Sequence, residues 1–229
     1  MNKLLFLPLI FIATLFCEQF TLSNGLKVVL IENSNEDDVL FAMVKKGGFS
    51  VLPADEQPAG RVASEVVWEG GFNGLTSDQI SNTLYDFDAD LVPDILPFAR
   101  KIEGSTSVEG LEEIVGLIRD IFTKPNLSNL RKGKANLLKT YDPIKNEVSE
   151  NFDNFVKLTN TNHFAPFIPL TRRQVEEANL DVIKSFFQES FSDLKDFVLV
   201  MAGPFKSADL RSLIETHLGS ISGKNTTLF

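Results

Sequence analysis

The sequence predicts an α+β domain with an antiparallel or mixed sheet and helices layered on it. Strand patterns open the chain at residues 26–32 and 37–48, amphipathic helical patterns follow, and an apolar strand returns at 196–204. Strands and helices therefore do not alternate strictly, as they would around a parallel sheet. The continuous apolar run at 196–204 predicts a strand that is covered on both faces or lies at the centre of the sheet.

Turn residues mark where the predicted strands reverse or end. Asn24-Gly25 is a strong tight-turn signal directly before the first strand. Residues 89–107 contain Pro93 and Pro97, which cannot donate to a strand ladder. We therefore expect edge strands or a loosely paired hairpin in this region.

The helical predictions rest on apolar spacing and on residues that begin or end helices. A proline-rich loop at 52–60 precedes the first helix, and Thr106 and Glu109 have the spacing of a capping box before the most regular helix. Residues 126–160 predict one or two polar helices broken near Pro143. The other predicted helices cover residues 60–72, 76–87, 106–125, 179–191 and 207–221.

Composition fits an exported globular domain better than a nucleic-acid-binding one. The chain has 229 residues and a formal net charge of −9, and its sequence shows no basic stripe that would attract phosphates. We find neither an internal repeat nor a low-complexity linker, so residues 18–229 are predicted to form one domain.

The N-terminus has the pattern of a signal peptide. A lysine precedes an apolar run from Leu4 to Phe16 that is too short to span a bilayer comfortably. Residues 1–17 are predicted to be a signal peptide, which places the protein in the periplasm or outside the cell; a buried N-terminal strand or helix is the alternative. Cys17 would suit a lipid anchor, but Phe16 before it does not have the small side chain that such a signal prefers.

The residues alone reveal no active site. The two histidines, His163 and His217, are too far apart for the usual helical zinc pairs. His163 is expected in a loop, and His217 near the end of a helix, where the dipole favours a cation. Phosphate-binding loops and nucleophile elbows are missing from the sequence, Cys17 is the lone cysteine, and the many carboxylates are expected to face solvent.

Several stretches, taken in order, resemble one domain of the insulinase/pitrilysin (inverzincin) metallopeptidase family, which includes the mitochondrial processing peptidase. They are FTLSNGLKVVLIEN, GGFSVLPADEQPAGRVASEVVWEGG, GSTSVEGLEEIVGLIRDIFTKPNLS and the region from PLTRRQ to HLGSI, whose strand ends in GPF. The order and spacing of these stretches together carry the resemblance. The resemblance covers nearly everything after the N-terminal apolar run.

Catalytic members of this family carry H-x-x-E-H on the first helix, where two histidines hold zinc and the glutamate activates water. Aligned on WEGG, this motif falls on residues 61–65, so Arg61, Ser64 and Glu65 occupy its three functional positions. Arg61 cannot be a neutral nitrogen ligand and Ser64 cannot be the general base. We predict neither catalytic, metal nor cofactor-binding residues in this chain, and we expect Arg61 and Glu65 to pair on the exposed side of the helix.

The resemblance implies a non-catalytic domain or subunit that encloses and grips peptide substrates together with a zinc-bearing homologous partner. Such a chain would not be active alone, and zinc would belong to the partner. The alternative is a stand-alone exported module that binds proteins or peptides on the same fold. An independent enzyme built on a carboxylate cluster is a third interpretation that no motif supports.

Overall fold

A six-stranded mixed sheet forms the centre of the protein, in a computed structural model that describes residues 16–141, 152, 155–156, 158–221 and 223. The strand order is β1-β2-β6-β3-β5-β4, in which β2 and β6 are parallel and the other neighbours antiparallel. The predicted α+β class with a mixed sheet is confirmed. The strands are β1 Phe16–Thr21, β2 Lys27–Glu32, β3 Val39–Lys46, β4 Asp90–Ile95, β5 Ala99–Thr106 and β6 Val198–Gly203.

The helices follow the predicted order, with short 3₁₀ turns at Phe49–Val51 and Ala165–Phe167. The predicted helix at 179–191 is preceded by a separate short helix. In the described part of the chain the helices are α1 Gln57–Gly70, α2 Ser77–Asp86, α3 Leu111–Thr123, α4 Leu130–Thr140, α5 Arg172–Glu177, α6 Leu180–Ser190 and α7 Ser207–Leu218.

The apolar strand near the end of the chain is β6, and it lies in the middle of the sheet between β2 and β3. Leu199 and Met201 are buried, whereas Val198 and Val200 are only half-buried. The central position is thus confirmed, but within the described residues the helices cover only one face of this strand. A continuous apolar run does not separate these two arrangements, because both need apolar side chains on successive residues.

Each side of the sheet has its own set of alternating residues. On the face that we call the covered face, side chains are buried against the helices: Val28, Leu30, Val39, Phe41, Met43, Leu91, Ile95, Ile102, Leu199 and Met201. On the opposite face, which we call the open face, the central strands carry Val29, Ile31, Leu40, Ala42, Val44, Val198, Val200 and Ala202. Of these, Leu40 is 61% exposed and Val44 is 42% exposed.

The covered face also holds two cations. Lys45 lies 3.4 Å from an Asp193 carboxylate oxygen, and its ammonium is 5.4 Å from the centre of the Phe197 ring. Arg100 is 1% exposed, and its guanidinium nitrogens make no hydrogen bond with any described residue. Burial lowers the pKa of Arg100, while the charges of Glu189 and Asp193 oppose that effect.

Two predicted helix starts were wrong. Thr106 does not cap α3; it is the last residue of β5, where it pairs with Val39, and the helix begins after Gly110 without a side-chain cap. Pairing along the strand therefore prevails over the local capping signal. In addition, α1 begins inside the predicted loop at Gln57, because Pro58 is compatible with the first turn of a helix.

The turn prediction is confirmed, and the edge prediction holds for β4 alone. Asn24-Gly25 forms the tight turn before β2, with Gly25 at a φ of +90°, a conformation that glycine adopts easily. Pro93 lies in β4, which is an edge strand, although β5 beside it is an inner strand. The predicted break at Pro143 and residues 1–15 of the predicted signal peptide lie outside the described residues, while Cys17 is an exposed residue of β1.

Candidate functional site

Helix α1 presents two different faces, one to the core and one to a groove along β4. Val62, Ala63, Val66 and Val67 are each at most 3% exposed and pack into the core. The helix ends at Gly70, and Gly71 after it has a φ of +86° that stops further helical bonding. The helical spacing in the sequence therefore identifies the buried face correctly, and Arg61, Glu65, Trp68 and Glu69 line the groove.

The predicted pairing of Arg61 with Glu65 was wrong, because these two side chains form no ion pair with each other. The Nη1 of Arg61 instead donates to the carbonyl of Ile168, and its guanidinium lies 5.4 Å from the centre of the Phe49 ring. The carbonyl comes from a segment distant in sequence and the aromatic surface from the 3₁₀ turn before α1, and with these partners the half-buried guanidinium forms no ion pair with its helical neighbour.

Ser64 lies on the core side of α1 and is 1% exposed. Its hydroxyl makes no hydrogen bond with any described residue. Arg61, Ser64 and Glu65 consequently point to different surroundings and do not form a ligand set for zinc. Across the part of the chain that the structure describes, no group of three histidine, cysteine, aspartate or glutamate side chains is placed to hold a metal ion.

Glu65 lies where two cavities meet. Its side chain reaches solvent, yet the surrounding protein atoms desolvate the carboxylate and raise its pKa. The negative charge of Asp94 raises the pKa further, whereas Arg61 lowers it. Glu65 makes no hydrogen bond with another described residue, so its carboxylate is open to a ligand.

The first cavity, which we call the α1–α2 pocket, has a volume of about 510 Å³ and lies between α1, α2, α4 and β4. Its walls are mostly apolar, which is typical of ligand pockets of this size. Among the described residues that line it, the ionisable ones are Glu65, Glu69, Asp90 and Tyr85, without lysine, arginine or histidine. The residues that matter below are Glu65, Trp68, Glu69, Leu84, Tyr85 and Leu91.

The second cavity, which we call the α1–loop pocket, has a volume of about 310 Å³ on the other side of Glu65. It is more polar, since Arg61, Asp94 and Tyr141 line it together with Glu65. The Tyr141 hydroxyl donates to the Leu170 carbonyl at 2.9 Å, and burial raises the pKa of this phenol. The two pockets together form a groove beside β4.

The outer edge of β4 offers backbone groups to this groove. The Leu96 N–H donates to the Ala99 carbonyl, so by alternation Leu91, Pro93 and Ile95 direct their backbone groups away from β5. Within the described residues no backbone hydrogen bond occupies that edge. An extended peptide could add a strand there, although Pro93 supplies only a carbonyl.

The two histidines do not contribute to this groove. His163 lies in the loop where the sequence placed it, with a φ of +52°. His217 is in the last turn of α7, as expected, and its Nδ1 is 3.2 Å from Nη1 of Arg119. Because a guanidinium can only donate, Nδ1 accepts that hydrogen bond.

Sequence reasoning missed Trp68, Glu69 and Tyr85 as groove residues. Glu65 and Glu69 are four residues apart on the side of α1 that lacks valines, with the one tryptophan of the chain between them. That spacing is a usable signal, because residues four apart share a helical face. Tyr85 gives no comparable signal, since α2 and α1 meet only in the folded chain.

Comparison with known proteins supports the fold. No protein-family model and no curated protein sequence matches the chain. Among solved structures, a protease from Helicobacter pylori superposes with a TM-score of 0.69 at 14% identity, over 94% of this chain and 52% of that chain.

Two further structures show the same relation. The periplasmic protease PqqL from Escherichia coli superposes with a TM-score of 0.67 at 21% identity, over 94% of this chain and 24% of that one. The ferredoxin protease FusC, solved as a mutant in complex with Arabidopsis ferredoxin, gives a TM-score of 0.63 at 16% identity, over 90% of this chain and 23% of that one.

These neighbours are insulinase/pitrilysin-like peptidases, so the chain has the fold of one domain of such an enzyme. It spans between about a quarter and a half of their length. In the described residues, no helix combines the length and the apolar character needed to cross a membrane.

Proposed function

We propose that this chain is a non-catalytic domain or subunit of an insulinase/pitrilysin-type zinc metallopeptidase, which encloses and grips peptide substrates together with a zinc-bearing homologous partner. The observation that carries the proposal is the length relation: 94% of this chain matches 52% of one protease and 24% of another. A fold that occurs as one part of larger proteases needs companion domains to enclose a peptide.

The open face of the sheet supports a companion domain. Leu40, Val44 and Val200 belong to an apolar surface that spans three neighbouring strands, and the helices bounded above pack on the opposite face. A contiguous apolar surface of this kind marks an interaction site more often than a free surface. We assign this surface to the homologous partner, since a second domain of the same fold can supply an amphipathic helix to cover it.

The chemistry of α1 supports zinc in the partner rather than in this chain. Arg61 is bonded to a distant carbonyl, Ser64 is buried in the core, and Glu65 lacks further ligands beside it among the described residues. A catalytic zinc site needs three protein ligands and an open position for water. The expected roles of this chain alone are therefore binding and enclosure, and export to the periplasm or cell exterior remains part of the proposal.

An assembly experiment tests this function. The chain is mixed with the H-x-x-E-H-bearing chain from the same genome, and complex formation is measured by sedimentation, with zinc content and chelator-sensitive peptide cleavage as further readouts. We expect a complex that holds zinc and cleaves, and zinc-free, inactive protein when this chain is alone. Stoichiometric zinc and chelator-sensitive cleavage by this chain alone would contradict the proposal.

Matched variants localise the contact. Leu40→Lys with Val44→Lys places two charges on the open face, where both side chains are exposed, and should weaken association at least about tenfold. Val108→Lys changes another exposed valine, in the segment before α3, and should leave association unchanged. Undiminished association of the open-face variant would exclude this surface as the interface.

The groove beside β4 favours a second candidate, a stand-alone exported module that binds peptides. The unoccupied strand edge and the adjoining pocket would suffice for peptide binding without a partner. The two candidates differ in what the assembly experiment shows: peptide binding by this chain in the absence of any complex with the H-x-x-E-H chain would favour the module.

A further inference from the structure

The α1–α2 pocket combines aromatic and aliphatic walls with carboxylates. Trp68 and Tyr85 contribute aromatic faces, and Leu84, Leu91 and Leu137 complete the apolar lining. Tyr85 is 86% exposed, so the pocket is accessible from solvent. Such walls suit the apolar stem of a ligand, and aromatic faces also attract a cation.

The described residues give this pocket charge of one sign. Glu65, Glu69 and Asp90 line it, and no basic residue of the described part of the chain does so. Asp90 is already engaged, because its Oδ1 accepts from both the N–H and the hydroxyl of Ser105 at 2.6 Å. Glu69 has one long contact of 3.5 Å with the Ser77 hydroxyl, and Glu65 has no hydrogen bond from a described residue.

Glu65 and Glu69 are thus two carboxylates on one helical face, on either side of Trp68, with capacity to accept hydrogen bonds. The nearest cation on α1, Arg61, belongs to the other pocket and is bonded to the Ile168 carbonyl. The desolvation that disfavours the Glu65 charge in the free protein would be offset by a cationic ligand beside it.

We infer that the α1–α2 pocket binds the basic side chain, lysine or arginine, of an extended peptide. The stem of that side chain packs on Trp68 and Tyr85, and its charged end bonds to Glu65 and Glu69. This inference rests on the proposed function and adds the class of peptide that is gripped. A peptide is favoured over a free amine because the pocket adjoins the outer edge of β4, where backbone groups are available.

A titration with matched peptides tests the inference. Two short apolar peptides differ only in the central residue, arginine in one and citrulline in the other, which has almost the same shape without the charge. Calorimetry measures the affinity of the chain for each. We expect the arginine peptide to bind at least about tenfold more tightly, because charge-assisted hydrogen bonds are the stronger class.

Trp68 reports the location, since it is the only tryptophan in the chain. Binding of the arginine peptide should change its fluorescence saturably, with the same affinity that calorimetry gives. The double variant Glu65→Gln with Glu69→Gln should remove the preference for arginine. The control Glu112→Gln with Glu113→Gln makes the same change in charge at two exposed residues of α3 and should retain the preference for the arginine peptide.

Equal affinity for the two peptides, or binding that leaves Trp68 fluorescence unchanged, would overturn the inference. A blocked single arginine that binds as tightly as the peptide would show that the ligand is a small cation and would overturn the assignment to a peptide. These outcomes are separate from those of the assembly experiment: loss of arginine preference with intact assembly refutes the inference alone, whereas retained preference without assembly refutes the partner role.

Discussion

Each face of the sheet carries side chains that are unusual for its surroundings. The covered face encloses Lys45 and Arg100 among the helices, while the open face displays Leu40 and Val44 to solvent. On the covered face Lys45 is balanced by Asp193 and lies over the Phe197 ring, while Arg100 lies over the Phe186 ring without a hydrogen bond to a described residue. On the open face, no described residue covers Leu40 and Val44, which indicates that another protein surface covers them.

The buried ion pair gives the largest expected effect. Asp193→Ala would leave Lys45 buried without its carboxylate and would also remove the acceptor for the Lys195 N–H. Breaking a buried pair costs about 3–5 kcal/mol, because one charge stays desolvated and uncompensated. Urea unfolding measures the loss, with Asp37→Ala in an exposed loop as the control.

The contrasting variant replaces both partners. Lys45→Met with Asp193→Leu removes the two charges together and should cost less than Asp193→Ala, because neither member of this pair is left buried without the other. If Asp193→Ala lowered the free energy of unfolding by less than about 1 kcal/mol, the covered face would not depend on this pair.

Adjacent residues of β6 compare the two faces directly. Leu199 is fully buried on the covered face, whereas Val200 is half-buried on the open face. Leu199→Ala should cost about 2–5 kcal/mol because it opens a cavity in a packed core. Val200→Ala should cost less than about 1 kcal/mol in the isolated chain, because solvent can fill the space.

Thermal or urea unfolding of both variants checks this difference. Equal losses would mean that the open face is packed as tightly as the covered face and would remove the argument for a partner there. Adding the zinc-bearing partner sharpens the test, since Val200→Ala should then weaken association while Leu199→Ala should act mainly through stability.

The sequence predicted those elements whose signals are local and agree with their surroundings. The Asn24-Gly25 turn, the central position of β6 and the edge position of Pro93 all follow from backbone chemistry that tertiary structure does not oppose. The capping box at Thr106 failed because the same residue also has a ladder partner, Val39. Thr106 could either cap α3 or pair in β5, and packing of the whole chain decides between the two. A single sequence does not display that packing.

The candidate site was less predictable than the fold. The absence of H-x-x-E-H is visible at Arg61, Ser64 and Glu65, but the partner of Arg61 is a carbonyl far along the chain. The α1–α2 pocket draws its walls from four elements, and only the Glu65–Glu69 spacing is visible in the sequence. The sequence predicted that Glu65 and Glu69 face solvent. Their position beside the outer edge of β4 depends on the topology of the sheet, which the sequence does not display.

The smallest expected change in the free energy of unfolding concerns Glu65, which lies beside the edge strand β4. Glu65 comes from the helix layer, and the charge of Asp94 in β4 adds to the desolvation that raises the Glu65 pKa. A carboxyl with a raised folded-state pKa favours folding when protonated, and this contribution disappears as the pH rises through that pKa. The ionised carboxylate therefore destabilises the free chain at neutral pH, relative to a neutral residue in its place.

Glu65→Gln should accordingly raise the free energy of unfolding at neutral pH by less than about 1 kcal/mol, since the side chain still reaches solvent. The gain should vanish below the ordinary glutamate pKa, where Glu65 is protonated in both the folded and the unfolded state. Urea unfolding at neutral pH and at a pH below that ordinary value measures the difference, with Glu112→Gln as the exposed control. A gain of stability together with a loss of arginine-peptide binding would mean that this carboxylate is retained for a ligand at a cost to the fold, whereas unchanged or lower stability at neutral pH would contradict that view.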